Sequence, residues 1–201
     1  MRRANLEPVF IMTRENPQAV RAAALAAALA AGLTFAVPAL AQSWVPGDLS
    51  VAAANSMRHG VRKVELNLGW TREQPLWQGQ HWRLRLRHEM ALGEWRVPDA
   101  RSITEFGYSP VLRLERPSAT GNLFFFEGSI GARLLSHTWI GPKRALSTAF
   151  QFADMIGVGF QWGQGSGAQT VGLRYQHQSN ADIKKPNPGV DFLMLYYRYA
   201  F

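Results

Sequence analysis

A period-two alternation of apolar and polar side chains recurs along most of this chain, and it restricts the fold more than any other feature. At 64–70, Val64, Leu66, Leu68 and Trp70 alternate with Glu65, Asn67 and Gly69. Trp82, Leu84 and Leu86 alternate with Arg83, Arg85 and Arg87. Phe150, Phe152, Ile156, Val158, Phe160 and Trp162 share one row, and Leu193, Leu195, Tyr197, Tyr199 and Phe201 share another. Successive strand residues point to opposite faces, so each segment reads as an extended strand with one apolar and one polar face. Weaker segments at 48–58, 108–116 and 123–135, together with 169–180, bring the number to eight. The expected fold is all-β: an eight-stranded antiparallel transmembrane β-barrel, apolar outside and polar within.

A soluble β-sandwich would alternate in the same way, and three features weigh against it. Aromatic residues sit near the ends of the apolar rows, where a barrel carries its interfacial girdles. The opposite rows hold Glu65, Arg83, Arg85, Arg87, Arg174 and Arg198, which suit a polar interior and would be costly in a sandwich core. The chain also closes on Tyr197, Tyr199 and Phe201, a pattern that resembles the terminal signal of bacterial outer-membrane barrels. Connections at 117–122 and 163–168 are short and turn-like, whereas 93–107 and 136–146 are longer, the habit of inner turns and external loops. The first two connections break that rule, with 59–63 short and 71–81 long.

Residues 1–41 read as a secretory signal peptide. Arg21 ends a basic region, Ala22–Val37 is an apolar run, and Ala39-Leu40-Ala41 is a small-x-small cleavage site before Gln42. The run is shorter than the about 20 residues of a spanning helix. The basic region is long, and Met12 offers an alternative start. The barrel domain is then 42–201. The absence of cysteine rules out disulfides and thiolate metal sites. The net charge of +8 falls to +6 without 1–41, which hold four Arg and two Glu. A basic surface attracts anionic lipid, phosphorylated glycolipid or nucleic acid. The aromatics lie in strand rows, not among basic clusters, so nucleic acid is not expected as a partner. An eight-stranded interior is just wide enough for side chains, which argues against a pore.

The candidate chemistry lies near the end of the seventh segment. His177 and Ser179 share a face with Val171, Leu173 and Tyr175, the row expected to meet lipid. A base beside a hydroxyl, aimed at a bilayer, suggests an ester substrate that is itself a membrane lipid. Asp191 opens the eighth segment in the row of Leu193 to Phe201, so it too faces outward and is suited to orient His177. Asn180 can donate an amide N–H to a developing oxyanion. Asp154 is another polar break in a lipid-facing row and a supporting candidate.

The stretch Arg174–Asn180, followed by Ile183-Lys184-Lys185-Pro186-Asn187-Pro188-Gly189, resembles the C-terminal signature of the outer-membrane lipid A deacylase (PagL) family. Phe150–Gly157 resembles the family's sixth strand, and the close match covers roughly the last 55 residues. The resemblance implies a barrel enzyme of the outer membrane that hydrolyses the ester-linked acyl chain at the 3 position of lipid A without a cofactor or metal. It implies Ser179 as nucleophile, His177 as base and Asn180 near the oxyanion. The family's orienting acid is typically Glu where this chain has Asp191, one methylene shorter. Lipid A, or whole lipopolysaccharide, is the expected partner, and a homodimer is compatible with such a barrel. Two other readings stand beside it: a non-enzymatic structural or lipid-binding barrel, and an acyltransferase.

Overall fold

The structure, a computed structural model, describes residues 46–201; the signal segment and the alternative start at Met12 lie outside them. Eight long strands follow one another: β1 (Asp48–Ser56), β2 (Arg62–Thr71), β3 (Arg83–Arg96), β4 (Ile103–Pro117), β5 (Leu123–Leu135), β6 (Phe150–Trp162), β7 (Gln169–Ser179) and β8 (Val190–Ala200). Each pairs antiparallel with its sequence neighbours, and β1 with β8 closes the barrel. Closure leaves no unpaired edge among the eight strands, which is what a β-structure in hydrocarbon requires.

The outward rows are as apolar as the alternation demands. Leu66 is 47 % exposed, Leu195 58 % and Ile156 68 %, values that suit a wall solvated by lipid and not a soluble surface. The inward rows bury Lys63, Glu65, Arg87, Glu89, Glu105, Arg113, Glu127, Arg133, Arg174 and Arg198. These charges are paired. Glu89 takes Arg87 at 2.8 Å, Arg174 at 2.8 Å and Arg198 at 3.2 Å, while Glu105 takes Lys63 at 2.9 Å and Arg133 at 3.0 Å. Toward the loop end, Trp95, Ile103, Leu135, Leu146, Val190 and Phe192 form an apolar plug, with Trp95 edge-on to Phe192 at 4.9 Å. The interior is filled with side chains throughout this part of the barrel.

Two strands exceed their expected bounds. The long connection expected at 93–107 shrinks to 97–102, because β3 runs on to Arg96 and β4 begins at Ile103. The alternation persists there with its polarity inverted. Trp95 and Ile103 point into the apolar plug, while Glu94 and Arg96 point outward. The irregular connection 72–82 remains long; its Trp77–Gln78 segment pairs with Leu84 and Arg83 and extends the hairpin beyond the wall. At the loop end, Trp139–Gly141 and Arg144–Ala145 pair as a small hairpin within the 136–149 connection.

Candidate active site on the outer wall

Strand β7 presents its His177–Ser179 face to the outside and is anchored from behind. Gln176 and Gln178 point inward, where Gln176 accepts from Lys63 Nζ at 2.9 Å and Gln178 Nε2 donates to Glu105 Oε2 at 3.1 Å. Gln178 is fully buried and lies between His177 and Ser179 in sequence. The polar interior therefore holds the backbone from which the two outward residues project.

In register, His177 lies opposite Asp191 of β8 on one side and Asp154 of β6 on the other. His177 Nδ1 and Asp191 Oδ1 are 2.7 Å apart, a short charge-assisted hydrogen bond. The two side chains are 37 % and 27 % exposed, accessible from the wall yet partly shielded. With Nδ1–H given to Asp191, Nε2 is the ring nitrogen left to accept a proton. The Asp191 Oδ1 also accepts from Tyr175 O–H at 2.7 Å. Sequence reasoning placed Tyr175 in the same row but gave it no role. The Asp154 side chain is exposed on the wall and forms no hydrogen bond or ion pair with another described residue.

Ser179 ends β7 at a tight bend. The Ala181 N–H lies 3.4 Å from Ser179 Oγ, and both Ala181 (φ 52°) and Asp182 (φ 62°) adopt the left-handed conformation. Two consecutive non-glycine residues there are unusual and carry a strain of about 1–3 kcal/mol each. The bend is held by Ile183 N–H to Asn180 O at 3.1 Å and by Asn180 N–H to Asn187 Oδ1 at 3.1 Å.

Asn180 departs from expectation. Its side chain is fully buried, and Nδ2 donates to Leu146 O at 3.0 Å and to Lys184 O at 2.8 Å. Both amide protons are committed to backbone carbonyls, so the expected donation to an oxyanion is corrected: the side chain braces the 136–149 connection against the 180–189 loop. The alternation could not show this, because Asn180 lies just past the strand.

Gly189 closes the same loop with a φ of 62°. A Cβ built there would lie 2.7 Å from His177 Cε1 and 3.3 Å from Nε2. The glycine thus answers two demands, a left-handed backbone and close approach to the imidazole. A second imidazole, His59, sits on the 57–61 loop against Arg144. Partial burial, and next the Arg144 guanidinium, lower its pKa from the ordinary histidine range. Among the described residues no cluster of three or more His, Cys, Asp or Glu side chains could hold a metal ion.

The family model for lipid A 3-O-deacylase (PagL) matches residues 62–200. The chain belongs to the PagL family. It is 37 % identical over 155 residues to the lipid A deacylase PagL of Bordetella bronchiseptica, an alignment covering 73 % of this chain and 82 % of that protein. It is 29 % identical over 152 residues to the lipid A deacylase PagL of Pseudomonas aeruginosa, covering 75 % and 84 %. A crystal structure of the outer-membrane enzyme PagL superposes with a TM-score of 0.70 at 28 % identity, covering 77 % of this chain and 99 % of that one. The PagL match begins at the first residue of β2 and takes in Tyr175, His177, Ser179 and Asp191.

Proposed function

We propose that this PagL-family barrel, a lipid A ester hydrolase of the bacterial outer membrane, removes the acyl chain at the 3 position of lipid A with Ser179 as nucleophile, His177 as base and Asp191 as orienting acid. The observation that carries this is the 2.7 Å His177–Asp191 bond on a row that faces lipid. Ser179 Oγ attacks the ester carbonyl carbon and gives its proton to His177 Nε2. The tetrahedral intermediate expels the sugar alkoxide, which takes that proton from the imidazolium. Water then attacks the acyl-enzyme by the same route, releasing the fatty acid and restoring Ser179. Asp191 holds the ring and stabilises the imidazolium. With the Asn180 amide occupied, oxyanion donors are sought among backbone N–H groups of the bend, and the Ala181 N–H beside Ser179 Oγ supports that choice. Asp154 adds negative charge on the far side of the ring, a supporting role.

A shallow groove on the wall fits the substrate. Phe126, Ile156, Val158, Leu173, Tyr175 and Leu193 border it. Tyr175 is in register with Ile156 and Leu193, one strand step from the Asp154–His177–Asp191 row. An acyl chain lying in the groove would bring its ester toward Ser179. All three proposed catalytic residues come from one chain, so the chemistry does not require a homodimer.

The test is mass spectrometry of lipid A from cells with and without the protein. Loss of one 3-linked acyl chain as free fatty acid is the expected result, and Ser179→Ala should leave lipid A intact. Unchanged lipid A with the parent protein would favour a binding barrel. Appearance of the acyl group on another lipid would favour an acyltransferase.

A further inference from the structure

We infer that Tyr175 is a positioning residue, whose hydroxyl fixes the Asp191 carboxylate so that its shared oxygen meets His177; this rests on the Ser-His-Asp reading above. Asp191 Oδ1 accepts two hydrogen bonds of equal length, 2.7 Å from Tyr175 Oη and 2.7 Å from His177 Nδ1. Tyr175 and His177 are two residues apart on β7, so they project from the same face, and both reach Asp191 across the β7–β8 ladder. The carboxylate is therefore gripped at one oxygen from two directions. An aspartate side chain that is 27 % exposed on a lipid-facing wall has few other polar groups to restrain it.

The bland alternative is that Tyr175 is an interfacial aromatic whose ring merely covers the wall. Two points favour the hydroxyl. The phenol O–H donates to the Asp191 carboxylate at 2.7 Å. Tyr175 also borders the apolar groove on the wall, so the residue links the proposed acyl-chain position to the orientation of the acid. Arg58, Asp154 and His59 are the other charged or titratable groups near this row, and none of them makes a hydrogen bond to Asp191.

The experiment is a double-mutant cycle on the full-length barrel in detergent micelles, reading ester release from lipid A, with heat-modified gel mobility as the folding control. Tyr175→Phe keeps the ring and removes the oxygen. It should lower kcat about tenfold with KM held within about twofold, because the loss is in the orientation of the acid and not in substrate binding. In an Asp191→Asn background the same change should have almost no further effect, since the group it acts through is gone. The assay must follow rates slowed by about 10⁴-fold, the scale on which removing an orienting carboxylate acts. Parent-like kcat in Tyr175→Phe overturns the inference. So does a cost that persists undiminished in the Asp191→Asn background, which would make Tyr175 a wall residue only. If Asp191→Asn alone is as active as the parent, the triad reading itself fails, and that failure is separate from the behaviour of Tyr175.

Discussion

Ser179 stands at the outer end of β7 with one weak contact to the Ala181 amide, so replacing it with Ala removes little that holds the barrel. Ser179→Ala should retain the heat-modified mobility of a folded barrel while ester release from lipid A falls to background. Full activity in that variant would remove Ser179 from the mechanism. His177→Asn should likewise keep the folded mobility and lose ester release, because no ring nitrogen is then left to take the serine proton. Gly189→Ala tests the packing around the ring. A methyl group 2.7 Å from His177 Cε1, on a backbone with φ 62°, must displace either the imidazole or the loop. It should cut kcat at least tenfold, and parent-like kcat would show that the ring tolerates the shift. The shared outward face of His177, Ser179 and Asp191 was legible because strand parity alone fixes it. Tyr175 was legible in position but not in role, since a hydroxyl reaching sideways to a neighbouring strand leaves no mark in the alternation.

At the scale of elements, the external connections form a braced unit. Asn180 Nδ2 ties the 180–189 loop to Leu146 O, and Ser147 Oγ donates to Pro186 O at 2.6 Å. Asn180→Ala removes both Nδ2 bonds; Leu146 O keeps the Thr148 N–H at 2.9 Å and Lys184 is exposed, so the cost is that of two lost hydrogen bonds, about 0.5–1.5 kcal/mol each. It should speed proteolytic cleavage in 136–149 and 180–189 and lower activity alongside. A drop in kcat with unchanged cleavage would return Asn180 to the oxyanion role. His59 gives this unit a pH dependence. Its folded-state pKa lies below its unfolded value, chiefly through burial, so the opened loop binds more protons. The contribution of His59 is complete above the unfolded pKa of about 6.5 and is lost as pH falls from there toward the folded value. Cleavage of the loops should rise below about pH 6.5 in the parent and do so less in His59→Gln. The strands were readable where polar-in, apolar-out held. They were misjudged between Leu92 and Phe106, where Trp95 and Ile103 fill an apolar plug and Glu94 and Arg96 face out, so the pattern turns over while the strand continues.

For the whole molecule, a charged interior lies beside the apolar plug, and its stability depends on complete pairing. Glu89 serves Arg87, Arg174 and Arg198 together, so Glu89→Ala takes one partner from three buried guanidinium groups in one change, leaving Arg87 and Arg198 to share Asp48 and Arg174 to Glu127. Breaking one partner of a buried pair costs about 3–5 kcal/mol. Glu89→Ala should therefore unfold at markedly lower denaturant concentration in micelles, and an unchanged midpoint would mean that water or neighbouring acids take over the pairing. This network meets the His177 row through Gln176 and Gln178, the inward neighbours of His177 on β7. Because that row opens sideways from the wall, the enzyme meets its substrate within a two-dimensional film. The governing variable is then the surface mole fraction of lipid A and not its bulk concentration. Adding inert detergent at constant bulk lipid A should slow turnover by surface dilution, whereas raising the total volume at constant detergent-to-lipid ratio, once the enzyme is inserted, should leave turnover per enzyme unchanged.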